Sequence, residues 1–340
     1  MAVKKVSKGF IYLLISFIIL VIGAIIAYVY LCEKYEGEDR WIYIDKNCSE
    51  SQLKDSLMSK LGDDFGAKVY QLWSLRDDYI ANNQGAYKIK SGFSAWKISK
   101  DISENHQTPV KVIFNNVRTM EQLANRVSKN MQFNEAEFLA ACDSVLSQKG
   151  FKKEEFPAVF FPDSYEFYWN AKPTLVVERL LKYYDKYWSD ENISKAKSMG
   201  ISPLEVSTIA SIVEEETNKA DERPMVARLY LNRVKKGMKL QADPTVKFAI
   251  GDFSLRRINQ NHLKVESPYN TYQNAGLPPG PIRIVSKKTL DAVLNAPEHE
   301  YIYMCAKEDF SGYHNFAVDY ETHQANARRY QQELNRRKIK

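Results

Sequence analysis

The sequence is poor in cysteine: its 340 residues include only Cys32, Cys48, Cys142 and Cys305. No two are close in the sequence, and none belongs to a Cys-X-X-Cys or mixed Cys/His pattern. This spacing excludes a zinc-ribbon site and a disulfide framework. We expect free, partly buried thiols, although a Cys48–Cys142 disulfide stays open if this part of the chain is extracytoplasmic. The bulky residues before Cys32 argue against a lipid-attachment site.

The sequence also lacks clusters of charge of one sign. Lys and Arg number 48 against 42 Asp and Glu, a formal charge of +6, and the two signs alternate along most of the chain. A nucleic-acid-binding protein more often concentrates its basic residues, so we expect no nucleic-acid partner. A hydrophobic content of 44% and a charged content of 26% are typical of globular proteins, and the length suggests roughly two domains.

One long apolar run stands near the N-terminus, from Phe10 to Leu31. Spanning the hydrocarbon core of a membrane takes about 20 residues, so we predict a transmembrane anchor over 10–32. Lysines precede the run and acidic residues follow it, which predicts that tail 1–9 is cytoplasmic and the bulk of the chain is outside. A cleaved signal peptide is the competing interpretation, but its apolar region would be shorter and end in small residues.

Residues 33–150 show a pattern of short strands and helices. A strand followed by a turn and a helix is predicted twice, near 85–102 and near 110–128. Units of this size resemble LysM-type modules, which bind glycan chains; the alternative is an α+β lobe without a ligand. The aromatic side chains of Tyr165, Phe167 and Tyr168 are suited either to stacking on sugar rings or to a core.

The clearest chemical signal is a helix that ends in three glutamates. Ser202 is a predicted N-cap, with Pro203 in the first turn and Glu205 completing a capping box. At about 100° per residue, Glu216 lies about 50° from the centre of the apolar face, and Glu215 points outward. A carboxyl group half-buried against apolar residues has a raised pKa, as a general acid requires. The alternative is that all three glutamates are solvated.

Two polar loops follow this helix. Gln241, Asp243 and Thr245 are grouped around Pro244, and a second set of amides and hydroxyls precedes a Pro/Gly-rich turn at 276–281. Prolines and glycines restrict the backbone path, so these side chains are predicted to be held in place. Such groups suit sugar hydroxyl and N-acetyl groups, and the alternative is a purely structural loop.

His314 and His323 are too few for a metal site, because no third ligand has a regular spacing. We therefore predict no metal.

In this order, the motifs closely resemble the MltG (YceG-like) family of endolytic murein transglycosylases. The matching segments are Phe161–Tyr165, Ala210–Thr217, Glu222–Arg223, Leu231–Arg233, Gly237–Val246, Ser267–Tyr272, Gly276–Ile282, His314–Phe316 and His323. The resemblance covers about residues 85–335. Residues 41–84 match poorly, and Glu215 in the middle of the E-x-E-T motif is expected to raise the pKa of Glu216 further.

The resemblance implies an α+β fold, with a transmembrane helix, a LysM-like lobe over 33–150 and a mixed α+β catalytic domain over 151–340. It implies that Glu216 is the catalytic residue. Candidates for substrate binding are Glu214, Glu222, Gln241, Asp243, Thr245, Asn270, Tyr272, Asn274, His314 and Asn315.

The reaction that the resemblance implies is cleavage of the β-1,4 bond between N-acetylmuramic acid and N-acetylglucosamine in nascent peptidoglycan. A 1,6-anhydro end is left and glycan elongation stops, with one Glu acting as acid and then base and with no cofactor. The implied location is the bacterial cytoplasmic membrane, with the catalytic domain in the periplasm, and the implied partners are synthases of the wall-elongation machinery.

Two other functions remain open at this point. One is a non-catalytic glycan-binding scaffold of the wall-synthesis machinery. The other is a muramidase that uses water and a second carboxylate, which would be Glu214, Glu222 or Asp243.

Overall fold

A computed structural model describes residues 8–76, 80–255 and 257–337, so residues 1–7 of the predicted tail lie outside it. The chain divides into two compact units. The N-terminal unit comprises the described residues up to Lys111, together with 130–132 and 166–171. The C-terminal unit comprises 112–129, 133–165 and the described residues from Lys172 onward. The predicted functional domains, 33–150 and 151–340, divide the chain elsewhere and stay predictions.

The N-terminal unit begins with the predicted apolar helix, α1. Among the described residues it is the one helix long and apolar enough to cross a membrane, and its 25 residues leave no side chain buried. The elements that follow are shorter. The helices and strands of this unit are α1 (Lys8–Cys32), β1 (Arg40–Ile44), α2 (Glu50–Leu61), α3 (Asp63–Ser74), β2 (Gly85–Ile89) and α4 (Ala95–Ser103).

Strands β1 and β2 pair antiparallel, from Arg40 opposite Ile89 to Ile44 opposite Gly85. Side chains alternate across a strand, and Ile42 and Ile44 point into a core that includes Leu57 and Trp73. The indole of Trp73 donates a buried hydrogen bond of 2.7 Å to Asn83 Oδ1. Residues within 41–84, whose role the sequence left in doubt, therefore form a large part of this core.

The strand-and-helix repeat is confirmed as secondary structure. Helix α4 follows β2, and α5 (Met120–Ser128) follows β3 (Val110–Phe114). Ser94 and Thr119 cap the two helices by accepting hydrogen bonds from Lys97 N and Gln122 N. The likeness to a glycan-binding LysM module stays a prediction.

Strand β3 pairs with β4 (Asp163–Phe167) in a second two-stranded sheet. In β4, Tyr165 and Phe167 are buried, whereas Tyr168 just beyond the strand is exposed. Tyr165 stacks on Phe114 with 5.4 Å between ring centroids. Two of the three aromatic side chains proposed for sugar stacking are therefore core residues, as the alternative interpretation held.

The C-terminal unit is mostly helical, with one antiparallel pair of strands that runs from Tyr303 opposite Ala317 to Ala306 opposite His314. Besides α5, its elements are α6 (Glu135–Gln148), α7 (Pro173–Tyr187), α8 (Asp190–Ser198), α9 (Pro203–Glu216), α10 (Arg223–Lys235), α11 (Asp243–Ile250), α12 (Lys287–Leu294), β5 (Tyr303–Ala306), β6 (His314–Ala317) and α13 (Tyr320–Arg336).

Helix α9 is central to this unit. Ser202 and Glu205 form the predicted capping box, and every residue from Val206 to Val213 is buried. Helices α10, α11 and α12 pack on it. Because its neighbours surround the helix, its last residue, Glu216, is held in a fixed position.

The predicted loop around Pro244 is instead the start of a helix. Helix α11 begins at Asp243 with Pro244 in its first turn, where proline has no amide hydrogen to lose and its fixed φ suits a helix. The proline thus starts an element rather than stiffening a loop. The consequence is that Asp243 is held at a helix N-terminus.

Candidate active site

Glu216 is the last residue of α9 and is partly buried. Its Oε1 accepts a hydrogen bond of 2.8 Å from the hydroxyl of Tyr230, which lies on the neighbouring helix α10. Among the described residues, no group hydrogen bonds with Oε2. One carboxylate oxygen is therefore anchored and the other is available to a ligand.

The environment of Glu216 raises its pKa to about 7. Burial is the main cause, and the negative charge of Asp243 adds to it, while the Tyr230 hydrogen bond and the charges of His314 and Lys247 lower the pKa. A carboxyl group with this pKa is about half protonated at neutral pH. It can both donate and accept a proton, as an acid–base catalyst must.

Glu216 lines a cavity of about 220 Å³. The cavity is bounded by α10, the start of α11, and strands β5 and β6. The lining residues are Glu216, Leu229, Tyr230, Arg233, Leu240, Gln241, Asp243, Tyr272, Met304, Cys305, Ala306 and His314.

Three candidates from the polar loops meet in this cavity. Asp243 Oδ1 accepts a hydrogen bond of 2.7 Å from the Tyr272 hydroxyl, which fixes both groups beside Glu216. Gln241 is exposed and has a positive φ of 49°, a conformation uncommon for a residue with a side chain. Its backbone amide donates to the carbonyl oxygen of Thr271, and the residue forms part of the cavity lining. The structure brings together Gln241, Asp243 and Tyr272 in one cavity, and their role in substrate binding stays a prediction.

His314 reaches the cavity from β6 and is positioned by Glu222. The buried Glu222 carboxylate accepts the backbone amide of His314 at 2.6 Å and lies 2.9 Å from its Nδ1. It also accepts a hydrogen bond of 2.9 Å from Thr217, the residue after Glu216. Glu222 does not line the cavity; it ties the end of α9 to β6.

The other substrate-binding candidates lie outside this cavity. Thr245 and Asn270 are fully buried; Thr245 bonds with Ala242 and Thr271, and Asn270 bonds with the loop 263–272. We expect them to position loops rather than contact a ligand. Asn274 lines a separate cavity of about 520 Å³, and Asn315 donates to Glu308.

Glu214 and Glu215 are both engaged in the structure. Glu214 accepts hydrogen bonds from Ser286 and Thr289 of the α12 N-terminus. Glu215 pairs with Arg118 at 2.9 Å and with Arg283 at 2.7 Å. The prediction that Glu215 points outward was wrong, because two arginines distant in sequence cover it. They also balance its charge, and the negative charge of Asp243 is among the main causes of the raised pKa of Glu216.

Sequence reasoning missed two residues of the site, Tyr230 and Arg233. Burial and the adjacent Glu216 carboxylate raise the pKa of Tyr230, so its phenol stays a donor. Arg233 is buried and donates to the carbonyl oxygens of Ile302 and Leu240, both at 2.6 Å, which joins α10 to the walls of the cavity. The available signal was their three-residue spacing on one face of α10.

The sequence predicted no metal site at His314 and His323, and His314 lines the active-site cavity. Among the described residues, no group of three or more His, Cys, Asp or Glu side chains could hold a metal ion. All four cysteines are free, so the open Cys48–Cys142 disulfide is not formed.

Residues 42–329 match the YceG-like family. The chain belongs to the YceG-like family. The match begins at residue 42, so the expectation that 41–84 fit the family poorly was wrong.

Proteins similar to this chain include two with the name endolytic murein transglycosylase. The one from Bacillus subtilis (strain 168) is 28% identical over 242 residues, which are 65% of this chain and 62% of that protein. The one from Streptococcus pneumoniae serotype 2 (strain D39) is 30% identical over 150 residues, 43% of this chain and 27% of that protein. The matched part thus spans less than two thirds of either relative.

A crystal structure of a YceG-like protein from Listeria monocytogenes has a similar fold, with a TM-score of 0.56. It is 24% identical in sequence, and the alignment covers 85% of this chain and 98% of that one. The likeness is one of fold.

Proposed function

We propose that this chain is an endolytic murein transglycosylase that cleaves the MurNAc-β-1,4-GlcNAc bond of peptidoglycan strands, with Glu216 as the single acid and base. The observation that carries the proposal is the Glu216 carboxyl group, which Tyr230 holds in a cavity lined by polar groups. Burial there raises its pKa to about 7. The names of the relatives in Bacillus and Streptococcus support the substrate class.

The first step is protonation of the leaving oxygen. Protonated Glu216 donates its proton to the glycosidic O4 as the C1–O4 bond breaks, and positive charge develops at C1 of the muramyl ring. Glu216 is left as a carboxylate, which the Tyr230 hydroxyl stabilises through its 2.8 Å hydrogen bond. The negative charge that develops on Glu216 is thus stabilised by a hydroxyl group that is already in position.

The second step closes a ring. The muramyl 6-hydroxyl attacks C1 to form the C1–O6 bond, and the Glu216 carboxylate removes the hydroxyl proton. Glu216 ends protonated, as it began, and neither water nor a cofactor is consumed. Attack within one molecule has a high effective molarity, so a second catalytic carboxylate is not required.

A muramidase is the second candidate, because Asp243 lines the same cavity as Glu216. In that reaction Asp243 would activate water or stabilise C1, and the product would have a reducing end. Glu214 and Glu222 are less suited to this role, since their carboxylates are occupied by Ser286 and Thr289 and by Thr217 and His314.

Glu216→Gln tests the proposal, because it removes the proton donor and keeps the shape. We expect a loss of at least a hundredfold in cleavage of purified peptidoglycan. Exposed Glu298, changed to Gln, serves as a control and should leave the rate unchanged. Mass spectrometry of the products separates the candidates, because an anhydro end is lighter than a reducing end by one water.

Each alternative has its own result in this experiment. Reducing ends from the wild type would indicate the muramidase. Glycan binding without cleavage by the wild type would indicate the non-catalytic scaffold. Full activity of Glu216→Gln would reject Glu216 as the acid in either reaction.

Helix α1 further supports a membrane-anchored enzyme. We propose that it holds the catalytic unit on the periplasmic side of the cytoplasmic membrane, where nascent strands emerge. There the enzyme would terminate glycan elongation beside wall-elongation synthases.

A further inference from the structure

A second, smaller cavity borders the first turn of α11, as the active-site cavity does. Its volume is about 70 Å³, and it is lined by Arg118, Glu215, Pro244, Lys247, Phe253 and Ile282. Two pairs of sequence neighbours are divided between the two cavities. Glu215 and Pro244 line the small cavity, and the adjacent residues Glu216 and Asp243 line the active-site cavity. The charge of Lys247 is near enough to Glu216 to lower its pKa.

The small cavity has an excess of positive charge. Arg118 and Arg283 balance Glu214 and Glu215, with which they form ion pairs of 2.7 to 3.4 Å. Lys247 is left over: it forms no ion pair with any residue that the structure describes. Asp243, one helical turn before it, is bound instead by the Tyr272 hydroxyl.

The size of the cavity limits what it can hold. A cavity of this volume has room for a few water molecules, and therefore for a small group such as a carboxylate. Phe253 and Ile282 form apolar walls, which strengthen an ion pair by excluding water. A carboxylate has the size and the charge that these walls and Lys247 fit.

We propose that Lys247 binds a substrate carboxylate located outside the cleaved bond, and so determines which strands are cut. This inference rests on the proposed function. A muramyl residue offers two such carboxylates, on its own lactyl group when bare or on the attached stem peptide. A cavity of about 560 Å³ that shares Arg118 and is lined along α5 has room for a peptide.

The test compares three substrates on the full-length chain in detergent. They are intact strands, strands stripped of peptide by an amidase, and intact strands whose carboxylates have been converted to amides. The wild type should cleave a carboxylate-bearing strand with a kcat/KM about tenfold higher than the amidated strand. A preference for intact strands would identify the stem-peptide carboxylate as the group that Lys247 binds, and a preference for stripped strands would identify the lactyl carboxylate.

Lys247→Met should abolish this preference, whereas Lys247→Arg should keep it. Loss of Lys247 also changes the pKa of Glu216, but that change affects all three substrates alike and cancels in the ratio. Lys235→Met, which removes an exposed charge from α10, should leave the ratio as it is. An unchanged ratio in Lys247→Met would overturn the inference.

Co-sedimentation with insoluble peptidoglycan, either intact or with its carboxylates converted to amides, separates this inference from the proposed function. If the wild type cleaves nothing, the proposed function fails, and the difference in binding between carboxylate-bearing and amidated strands still tests Lys247. Equal binding of the two kinds of strand by the wild type would then overturn the inference as well.

Discussion

At the residue scale, the proposed chemistry depends on the balance of charges around Glu216. Burial raises its pKa to about 7, with Asp243 adding to the shift and Tyr230 opposing it. The two neighbours therefore act in opposite directions on the same carboxyl group. This opposition offers a test of their roles that does not depend on how much activity each variant retains.

We predict that the alkaline limb of the pH profile of kcat/KM moves in opposite directions in two variants. In the wild type, activity should fall as pH rises through about 7, because free enzyme must carry the Glu216 proton. Tyr230→Phe removes a group that stabilises the anion, so the limb should move to higher pH. Asp243→Asn removes a repelling charge, so the limb should move to lower pH. Displacement of both limbs in one direction would contradict this assignment.

The sequence was sufficient to select Glu216 and several residues that line its cavity, but not the groups that bind Glu216 or cover its neighbour Glu215. The helical wheel and the family motif both selected Glu216, because the period of a helix is a local property. Tyr230 was missed because its contact depends on how two helices pack. Glu215 was misassigned for a similar reason: Arg118 and Arg283 lie 97 and 68 residues away along the chain. Long-range ion pairs leave no local pattern.

At the element scale, the Pro/Gly-rich segment at 276–281 guides the chain onto α9. Gly280 approaches another backbone so closely that an added Cβ would lie 1.9 Å from the carbonyl oxygen of Glu154. Just after it, Ile282 N donates a hydrogen bond of 3.0 Å to Ser211 Oγ on α9. Glycine at 280 is thus required by close contact.

We predict that Gly280→Ala destabilises the protein by about 3 kcal/mol or more, since the atom it clashes with belongs to the backbone and cannot rotate away. Gly276→Ala is the matched control. Gly276 has a φ of 81° but open space around it, so its alanine variant should lose only about 1 to 2 kcal/mol. Urea unfolding monitored by tryptophan fluorescence measures both. Equal losses would show that the contact at Gly280 relaxes at little cost.

Capping residues explain why α4, α5 and α9 could be located from the sequence. Ser94, Thr119, Asn134 and Ser202 each accept a hydrogen bond from the first turn of their helix. These bonds span three residues, so a short window of sequence contains the whole signal. Pairing of β1 with β2, across some forty residues that contain α2 and α3, has no such local signal.

At the scale of the whole molecule, one long apolar helix accompanies a C-terminal unit that contains every residue of the active-site cavity. Substrate made at a membrane would be within reach only of an enzyme kept near that membrane. The contribution of α1 to function is thus expected to be one of location, since none of its side chains is buried in the fold.

We predict that the full-length chain sediments with membranes and resists extraction by carbonate, and that deletion of residues 1–32 makes it soluble. The truncated protein should cleave purified peptidoglycan at an unchanged rate, because no residue of the cavity is removed. In cells it should fail to shorten glycan strands, since it is no longer exported or held at the membrane. A protease added to spheroplasts should digest the C-terminal unit of the full-length chain, as the charges flanking α1 predict. Protection of that unit would place the catalytic residues on the cytoplasmic side, away from peptidoglycan, and would contradict the proposed function together with the orientation.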